Sequence, residues 1–166
     1  TEFEQKMGEL EEKDGQISVD VEVTNTGDVA GKDVVEVYYK PPYTNGGIEK
    51  ASANLIEFAK TDLLQPGESQ IVTATFSIED MASYDENTAK AYVLEKGDYM
   101  ISINSDSHTV LDQKTYTADK DVVYKGENKR ASDDTAATNV FEDAKGDVTY
   151  LSRADHFANY EEAKAA

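Results

Sequence analysis

The stretch that decides the fold class is Ile17-Ser18-Val19-Asp20-Val21-Glu22-Val23-Thr24. Apolar and polar side chains alternate through all eight positions. Successive side chains of a strand point to opposite faces, so this period of two predicts a β-strand with one buried and one solvated face. The following Asn25-Thr26-Gly27-Asp28 predicts a turn that ends the strand.

Similar patterns occur on both sides of this strand. We expect an edge strand in residues 1–7 through Phe3 and Met7, and further strands at 34–39, 71–78, 91–94, 99–103 and within Tyr116 to Tyr124. Leu55, Ile56 and Phe58 are expected to return to the core after a long loop over residues 40–54. Gln65-Pro66-Gly67-Glu68 predicts a type II turn, and Ser77 to Asp80 predicts a short helical turn through Met81 and Ala82. Because no helical pattern of 10–15 residues separates the strands, the sequence favours an antiparallel β-sandwich or barrel over a βαβ sheet.

Composition excludes several classes of function. The chain carries 34 acidic and 16 basic residues, a net charge of −18. This charge disfavours nucleic acid and anionic lipid as partners, and no apolar run is long enough to span a membrane. The chain has no cysteine, hence no disulfide, thiolate metal site or cysteine nucleophile. The missing cysteine favours a cytoplasmic location, and a secreted parent stays open.

The distribution of apolar residues predicts the domain organisation. Residues 17–103 hold 22 of the 33 Leu, Ile, Val and Phe residues, and residues 104–166 hold nine. We therefore expect a β-sandwich over residues 1–125 and a linker or docking tail over residues 126–166, called the tail below. Residues 127–139 are polar, whereas the rest of the tail carries Phe141, Tyr150, Phe157 and Tyr160, which are expected to dock on this domain or on an absent neighbour. The start at Thr1 and the end within a pattern indicate a piece of a longer protein.

Candidate catalytic and metal-binding residues are few. His108 and His156 are the only histidines and cannot form a zinc site without acidic ligands. The pairs Asp106 with Asp112 and Asp119 with Asp121 lack the ligand spacing of an EF-hand calcium loop. Solvated loop acids are the favoured interpretation, and a calcium site at the edge of the sandwich is the alternative. Gly46-Gly47 is not followed by the Gly-Lys-Ser/Thr sequence of a phosphate-binding loop. No cofactor or metal is predicted.

The tyrosines raise the question of sugar binding. Tyr38, Tyr39, Tyr84, Tyr92 and Tyr99 fall on or beside predicted strands, where packing is the favoured role. Tyr84 is a candidate tyrosine corner, a tyrosine whose hydroxyl bonds to nearby upstream backbone. Tyr43, in the proline-containing loop, is the best exposed candidate for stacking on a sugar.

Three segments together carry a family resemblance. They are Val23-Thr24-Asn25-Thr26-Gly27 with Gly31 and Val34 to Tyr38, then Leu55 to Lys60 with Leu64 to Ser69, and then Gly97-Asp98-Tyr99 leading to Ser105. In this order and spacing, over residues 17–108, they resemble the fibronectin type III-like domain of family 3 glycoside hydrolases. The resemblance implies an immunoglobulin/fibronectin type III-like antiparallel β-sandwich with an extended C-terminal tail.

The tail carries a second resemblance. Phe141 to Ala144 and Gly146 to Asp155 look like a connector in bacterial β-glucosidases of permuted domain order, where the sandwich precedes the catalytic barrel. The family nucleophile resembles an aspartate in a Ser-Asp-Trp context, but this chain has no tryptophan. The most similar segments of this chain are Ser105-Asp106-Ser107 and Ala154-Asp155-His156, and neither matches the Ser-Asp-Trp context.

The resemblance therefore implies a non-catalytic accessory module that supports the catalytic domains of a bacterial β-glucosidase, with those domains of the same polypeptide as partners. Tyr43, Phe141, Tyr150 and Phe157 are the candidate interdomain contacts. A carbohydrate-binding module is the alternative, and a surface adhesion domain is a more remote one.

Overall fold

The computed structural model describes residues 1–165, within which antiparallel β-strands dominate. The strands are β1 Phe3–Lys13, β2 Gln16–Asn25, β3 Val34–Lys40, β4 Asn54–Lys60, β5 Ser69–Ser77, β6 Ser83–Asp85, β7 Ala91–Leu94, β8 Gly97–Asn104, β9 Val110–Ala118 and β10 Val122–Tyr124. Short 3-10 turns lie at Ile78–Met81, Gly126–Asn128 and Glu142–Ala144, and one α-helical turn, α1, lies at Tyr160–Ala163. No helix within residues 1–165 is long and apolar enough to cross a membrane.

The chain divides into two compact units, and the first contains the sandwich. The first unit comprises Thr1–Lys40, Ser52–Met81 and Asp98–Thr117. It holds a three-stranded sheet in the order β1-β2-β5 and a four-stranded sheet in the order β4-β3-β8-β9. The pairs of β2 with β5 and of β3 with β8 are antiparallel. The expected all-β, fibronectin type III-like class is confirmed.

The alternation of β2 places four aliphatic side chains in the core. Ile17, Val19, Val21 and Val23 are almost completely buried. The adjacent β5 contributes Val72, Ala74 and Phe76, while the other sheet contributes Val35, Val37, Tyr99, Ile101 and Ile103. Burial of one such aliphatic side chain stabilises the fold by about 1.5–3 kcal/mol, so these two rows supply the main driving force for folding the unit.

The expected return of β4 to the core is wrong for two of its three apolar residues. Leu55 is 51% exposed and Phe58 is 63% exposed. Leu55 pairs with Tyr38 and Phe58 pairs with Glu36, whereas the buried side chains of β3 are Val35 and Val37. Cross-strand partners share a face, so Leu55 and Phe58 lie on the outer face of the sheet at an edge strand.

The edge strand expected within residues 1–7 is confirmed and is longer than predicted. β1 continues to Lys13 and buries Met7. Its register against β2 shifts between Met7 and Leu10. Gly8 lies at this bulge, where an added Cβ would come within 2.9 Å of the Asp20 carbonyl oxygen. Because glycine has no side chain, β1 can approach β2 closely at the bulge and stay paired with it. The bulge also makes the outer edge of β1 irregular, which hinders pairing with another chain.

The predicted turns also form. The Glu68 amide donates to the Gln65 carbonyl oxygen at 2.9 Å, and Gly67 has φ of +80°. A positive φ at the third residue is the signature of a type II turn. The helical turn expected after Ser77 is the 3-10 turn Ile78–Met81.

The second unit comprises Pro41–Ala51, called the proline loop below, with Ala82–Gly97 and residues 118–165. Its strands form a small sheet in the order β10-β7-β6. The strand expected across Tyr116 to Tyr124 is divided between β9 and β10. Asp121 lies between them, and its carboxylate accepts a 2.6 Å hydrogen bond from the Lys96 amide, which favours a turn at this point. The proposed boundary at residue 125 stays a prediction, and Ala166 lies outside the described residues.

Candidate docking surface of the tail

Three of the four residues predicted to contact neighbouring domains are strongly exposed. Phe141, Tyr150 and Phe157 lie in the tail and are 75%, 55% and 51% exposed. Tyr43 lies in the proline loop and is half-buried. All four belong to the second unit. Their role as interdomain contacts stays a prediction.

The carboxylate of Glu49 connects the proline loop to the tail. It accepts a 2.6 Å hydrogen bond from Ser152 Oγ and a 3.1 Å hydrogen bond from the Arg153 amide. The Tyr43 hydroxyl donates to both carboxylate oxygens at 3.3 Å. Burial raises the pKa of Glu49, but the hydrogen bonds from Ser152, Arg153 and Tyr43 outweigh burial, so its pKa lies below the ordinary value. The three donors therefore stabilise the ionised form.

Arg153 forms the second half of this connection. Its guanidinium lies over the Tyr43 ring, 4.1 Å from the ring centroid, and its Nη1 donates to the Lys50 carbonyl oxygen at 3.1 Å. Cation–π contact and a hydrogen bond together restrain the guanidinium from two sides. Lys50 itself is buried, donates to the Pro42 carbonyl oxygen at 2.7 Å and forms an ion pair with Glu95. The contacts of Lys50 therefore order the proline loop, and Arg153 attaches the tail to this ordered loop.

A second anchor lies near the start of the tail. The Arg130 guanidinium lies 3.6 Å from the centroid of the Tyr92 ring. The same group donates two hydrogen bonds, at 3.0 and 2.8 Å, to the Asp133 carboxylate. This bidentate pair holds the pKa of Asp133 below its ordinary value. The segment predicted as a polar linker is thus attached to β7 through Arg130.

The third anchor involves Tyr84 and Lys90. The Tyr84 hydroxyl accepts a 2.9 Å hydrogen bond from the Asn139 amide, 55 residues downstream. This partner lies in the tail, not in the upstream backbone that a tyrosine corner contacts. The Tyr84 ring meets the Tyr92 ring edge-on at 5.5 Å. Lys90 forms a 2.8 Å ion pair with Glu142 of the tail.

The anchored tail nevertheless leaves many apolar side chains exposed. Fifteen large hydrophobic residues of the described chain are strongly exposed, and seven of them fall within residues 140–160. These seven are Val140, Phe141, Val148, Tyr150, Leu151, Phe157 and Tyr160. Exposed apolar residues that lie in one contiguous patch are typical of an interaction surface, which makes these seven residues the candidates for contact with another domain.

The acidic and histidine candidates have local structural roles or remain solvated. Asp106 accepts hydrogen bonds from the His108 and Thr109 amides at 2.7 and 2.9 Å, and these bonds hold its pKa below the ordinary value. Asp155 accepts a 2.8 Å hydrogen bond from Asn45. Within residues 1–165, no three His, Asp or Glu side chains come close enough to bind a metal ion.

The five strand tyrosines do not form one exposed aromatic row. Tyr99 is buried and packs against Tyr116, with ring centroids 6.2 Å apart. Tyr92 is partly buried, and its ring contacts Arg130. Tyr38 and Tyr39 lie on adjacent positions of β3, and adjacent strand residues point to opposite faces.

The sequence of the sandwich matches a known family. The family model described as the fibronectin type III-like domain covers residues 33–107, which include β3, β4, β5 and β8. The chain contains a fibronectin type III-like domain. The resemblance of this domain to that of family 3 glycoside hydrolases is confirmed by relatives that are β-glucosidases.

Curated relatives of the fibronectin type III-like domain include "Beta-glucosidase A" of Butyrivibrio fibrisolvens, 42% identical over 64% of this chain and 13% of that protein. "Beta-glucosidase" of Ruminococcus albus is 35% identical over 72% of this chain and 13% of its own length. The chain therefore spans only a small part, 13%, of these two bacterial relatives.

Solved structures give the same result. The β-glucosidase of Kluyveromyces marxianus in complex with glucose matches 75% of this chain and 15% of its own, with a TM-score of 0.68 at 28% identity. The Paenibacillus barengoltzii β-glucosidase matches 74% of this chain and 14% of its own, with a TM-score of 0.65 at 35% identity.

Sequence reasoning missed the residues that hold the tail in place. Glu49, Arg130 and Arg153 are common surface residue types, and the partners of Glu49 and Arg153 lie far along the chain. The only available signal was the presence of aromatic residues in an otherwise polar tail.

Proposed function

We propose that the fibronectin type III-like domain is a non-catalytic module that supports the catalytic domains of a bacterial family 3 β-glucosidase. The observation that carries this proposal is the set of exposed apolar residues in the anchored tail, in a chain that spans only 13% of each of two bacterial β-glucosidase relatives. A permuted domain order, with the catalytic barrel after the tail, fits the tail sequence described above.

The physical argument rests on what an exposed apolar surface requires. Phe141, Tyr150 and Phe157 expose aromatic rings, and burial of such rings against another domain removes apolar area from water. The three anchors at Arg130, at Tyr84 with Lys90, and at Glu49 hold the tail without covering these rings. An ordered tail loses less conformational entropy on docking than a free one.

Transplantation into a relative tests the proposal. The segment of the Butyrivibrio fibrisolvens β-glucosidase A that matches this chain is replaced by residues 1–166, and hydrolysis of 4-nitrophenyl β-glucoside and thermal inactivation are measured. We expect an active chimaera. The variant with Phe141, Tyr150 and Phe157 replaced by serine should inactivate at a lower temperature, because the contacts with the catalytic domains are lost.

The matched control is Ile71→Ser in the same chimaera, since Ile71 is an exposed apolar residue of β5 in the first unit. Equal thermal inactivation of the triple variant and the unchanged chimaera would contradict the docking role. The purified chain alone should not cleave the aryl glucoside, and turnover that scales with the chain itself would refute the non-catalytic assignment.

A further inference from the structure

A small polar pocket lies on the outer face of the four-stranded sheet, within the first unit. Its volume is about 270 Å³, and its lining includes Tyr38, Ser102, Asn104, Ser107, His108 and Gln113. The register explains this grouping, since Ser102 pairs with Tyr38 and Asn104 pairs with Glu36. These cross-strand partners share the face opposite to Val37 and Ile103 in the core.

Asn104 is the unusual member of the lining. The residue is 2% exposed, yet its Oδ1 accepts no hydrogen bond from the residues that the structure describes. Buried side-chain acceptors are nearly always satisfied, and one left without a donor destabilises the folded state. The pocket beside Asn104 is therefore a place where a bound hydrogen-bond donor would offset this destabilisation.

The chemistry of the lining limits the class of ligand. None of the described residues that line the pocket carries a carboxylate, which argues against a metal ion or an organic cation. Lys40 is also part of the lining, but the net charge of −18 disfavours an anion. Ser102 and Gln113 offer both donors and acceptors, and Tyr38 adds an aromatic ring. A neutral, hydroxyl-rich ring compound satisfies all of these groups.

The size of the pocket limits the ligand further. Sites for drug-sized ligands have volumes of about 300–1,000 Å³, so a pocket slightly below this range accommodates one sugar ring rather than a chain of them. We propose that this pocket binds a neutral monosaccharide, with one ligand hydroxyl donating a hydrogen bond to Asn104 Oδ1. Oδ1 is buried in the structure as it stands, so binding requires the amide to rotate about its soft terminal torsion. This site does not depend on the supporting role proposed above.

A titration of the isotope-labelled chain with D-glucose, followed by amide chemical shifts, tests the proposal. We expect saturable shifts at Tyr38, Ser102, Asn104 and His108, with a dissociation constant in the millimolar range, because a small ligand makes few contacts. Glycerol, which offers hydroxyls but no ring, should produce no saturable shift at these amides. The absence of saturable shifts with glucose, or equal shifts with glycerol, would overturn the assignment.

The variant Asn104→Leu distinguishes a role of Asn104 in ligand binding from a role in the stability of the fold. It removes the acceptor and keeps a similar shape, so we expect glucose affinity to fall at least tenfold while the thermal midpoint stays unchanged or rises. Thr117→Val is the control on the neighbouring strand, since Thr117 bonds to Asp98 and is not among the lining residues named above. Gln113→Ala, at an exposed lining residue, supplies a second variant if Asn104→Leu does not fold. Undiminished affinity in every folded pocket variant would refute the site.

Discussion

Ser152 Oγ lies 2.6 Å from the Glu49 carboxylate, although the two residues are 103 positions apart in the sequence. Because Glu49 also accepts hydrogen bonds from the Arg153 amide and from Tyr43, a single carboxylate unites the proline loop with the tail. The position of the tail aromatics thus depends on a charged group that is not itself part of the exposed surface.

Glu49→Ala should release the segment around Ser152 from the proline loop. The Ser152 and Arg153 groups lose their common acceptor, so we expect faster amide hydrogen exchange at Arg153 and faster proteolysis of the tail. The exposed residue Glu12 of β1 supplies the control Glu12→Ala. Unchanged exchange at Arg153 in the Glu49 variant would show that the carboxylate does not hold the tail.

The same contact should weaken in acid. The folded-state pKa of Glu49 lies below the ordinary value of 4.5, so its contribution is present above that value and is lost as the pH falls through the lower folded pKa. An NMR titration of the Arg153 amide between about pH 2 and 6 should report this transition. Glu49→Gln should abolish it, and persistence of the same transition in Glu49→Gln would assign it to another group.

Asn25→Ala should destabilise the first unit. Asn25 is fully buried, its Nδ2 donates to the carbonyl oxygens of Val29 and Leu64 at 3.0 and 2.9 Å, and its Oδ1 accepts from the Gly27 amide at 3.0 Å. The Leu64 carbonyl oxygen keeps the Gly31 amide as a partner and the Gly27 amide keeps the Glu2 carbonyl oxygen, so the substitution removes three hydrogen bonds of a buried side chain but does not orphan these two groups. We therefore expect the free energy of unfolding to fall by about 1–2 kcal/mol. Denaturant unfolding measures the change.

Asn87→Ala provides the comparison for this variant, because Asn87 is an exposed turn residue. We expect a change within about 0.5 kcal/mol at that position. Similar losses in the two variants would argue that the buried hydrogen bonds of Asn25 have no special weight.

Asp85→Ala should loosen the turn after β6. The Asp85 carboxylate accepts hydrogen bonds from the Asn87 and Thr88 amides at 3.0 Å and from the Ala89 amide at 2.9 Å. The Ala89 bond is the main cause that lowers the pKa of Asp85. We expect faster hydrogen exchange at these three amides, with Asp147→Ala at an exposed tail residue as the control. Exchange rates equal to those of the unchanged chain would contradict the role of this carboxylate.

His156→Gly should stabilise the tail. Asp155, His156 and Phe157 have φ of +50°, +59° and +62°, a run of three non-glycine residues in the left-handed region. This conformation costs L-residues roughly 1–2 kcal/mol each, and glycine does not bear that cost. We expect the thermal midpoint of the tail to rise. The midpoint is followed by the fluorescence of a dye on Ala158→Cys, which introduces the sole thiol of the chain.

The control for the left-handed run is Lys164→Gly in the same labelled chain. Lys164 is exposed and has an ordinary negative φ of −78°. Glycine relieves no strain at such a position and adds freedom to the unfolded chain, so the midpoint should stay unchanged or fall. If the midpoint of His156→Gly falls as much as that of the control, the positive φ of His156 does not strain the tail.

The strands of the sandwich were predictable because their cause is local. The alternation in β2 and the Pro-Gly turn before β5 follow from side-chain geometry within a few residues, and both occur as predicted. The exposure of Leu55 and Phe58 was not predictable, because an apolar side chain does not reveal which face of a sheet will be covered. Most of β9 was missed, since its residues alternate only weakly in polarity.

Pattern and composition by themselves determined an acidic all-β chain with a core in its first two thirds, together with a tail that carries aromatic residues. They did so because hydrophobic periodicity acts over neighbouring residues. Only the tertiary structure decided that Glu49 meets Ser152, that Arg130 covers Tyr92, and that Asn104 is buried without a donor for its Oδ1 among the described residues. Such contacts join residues far apart in sequence or depend on the packing around them, and local spacing carries no information about those distances.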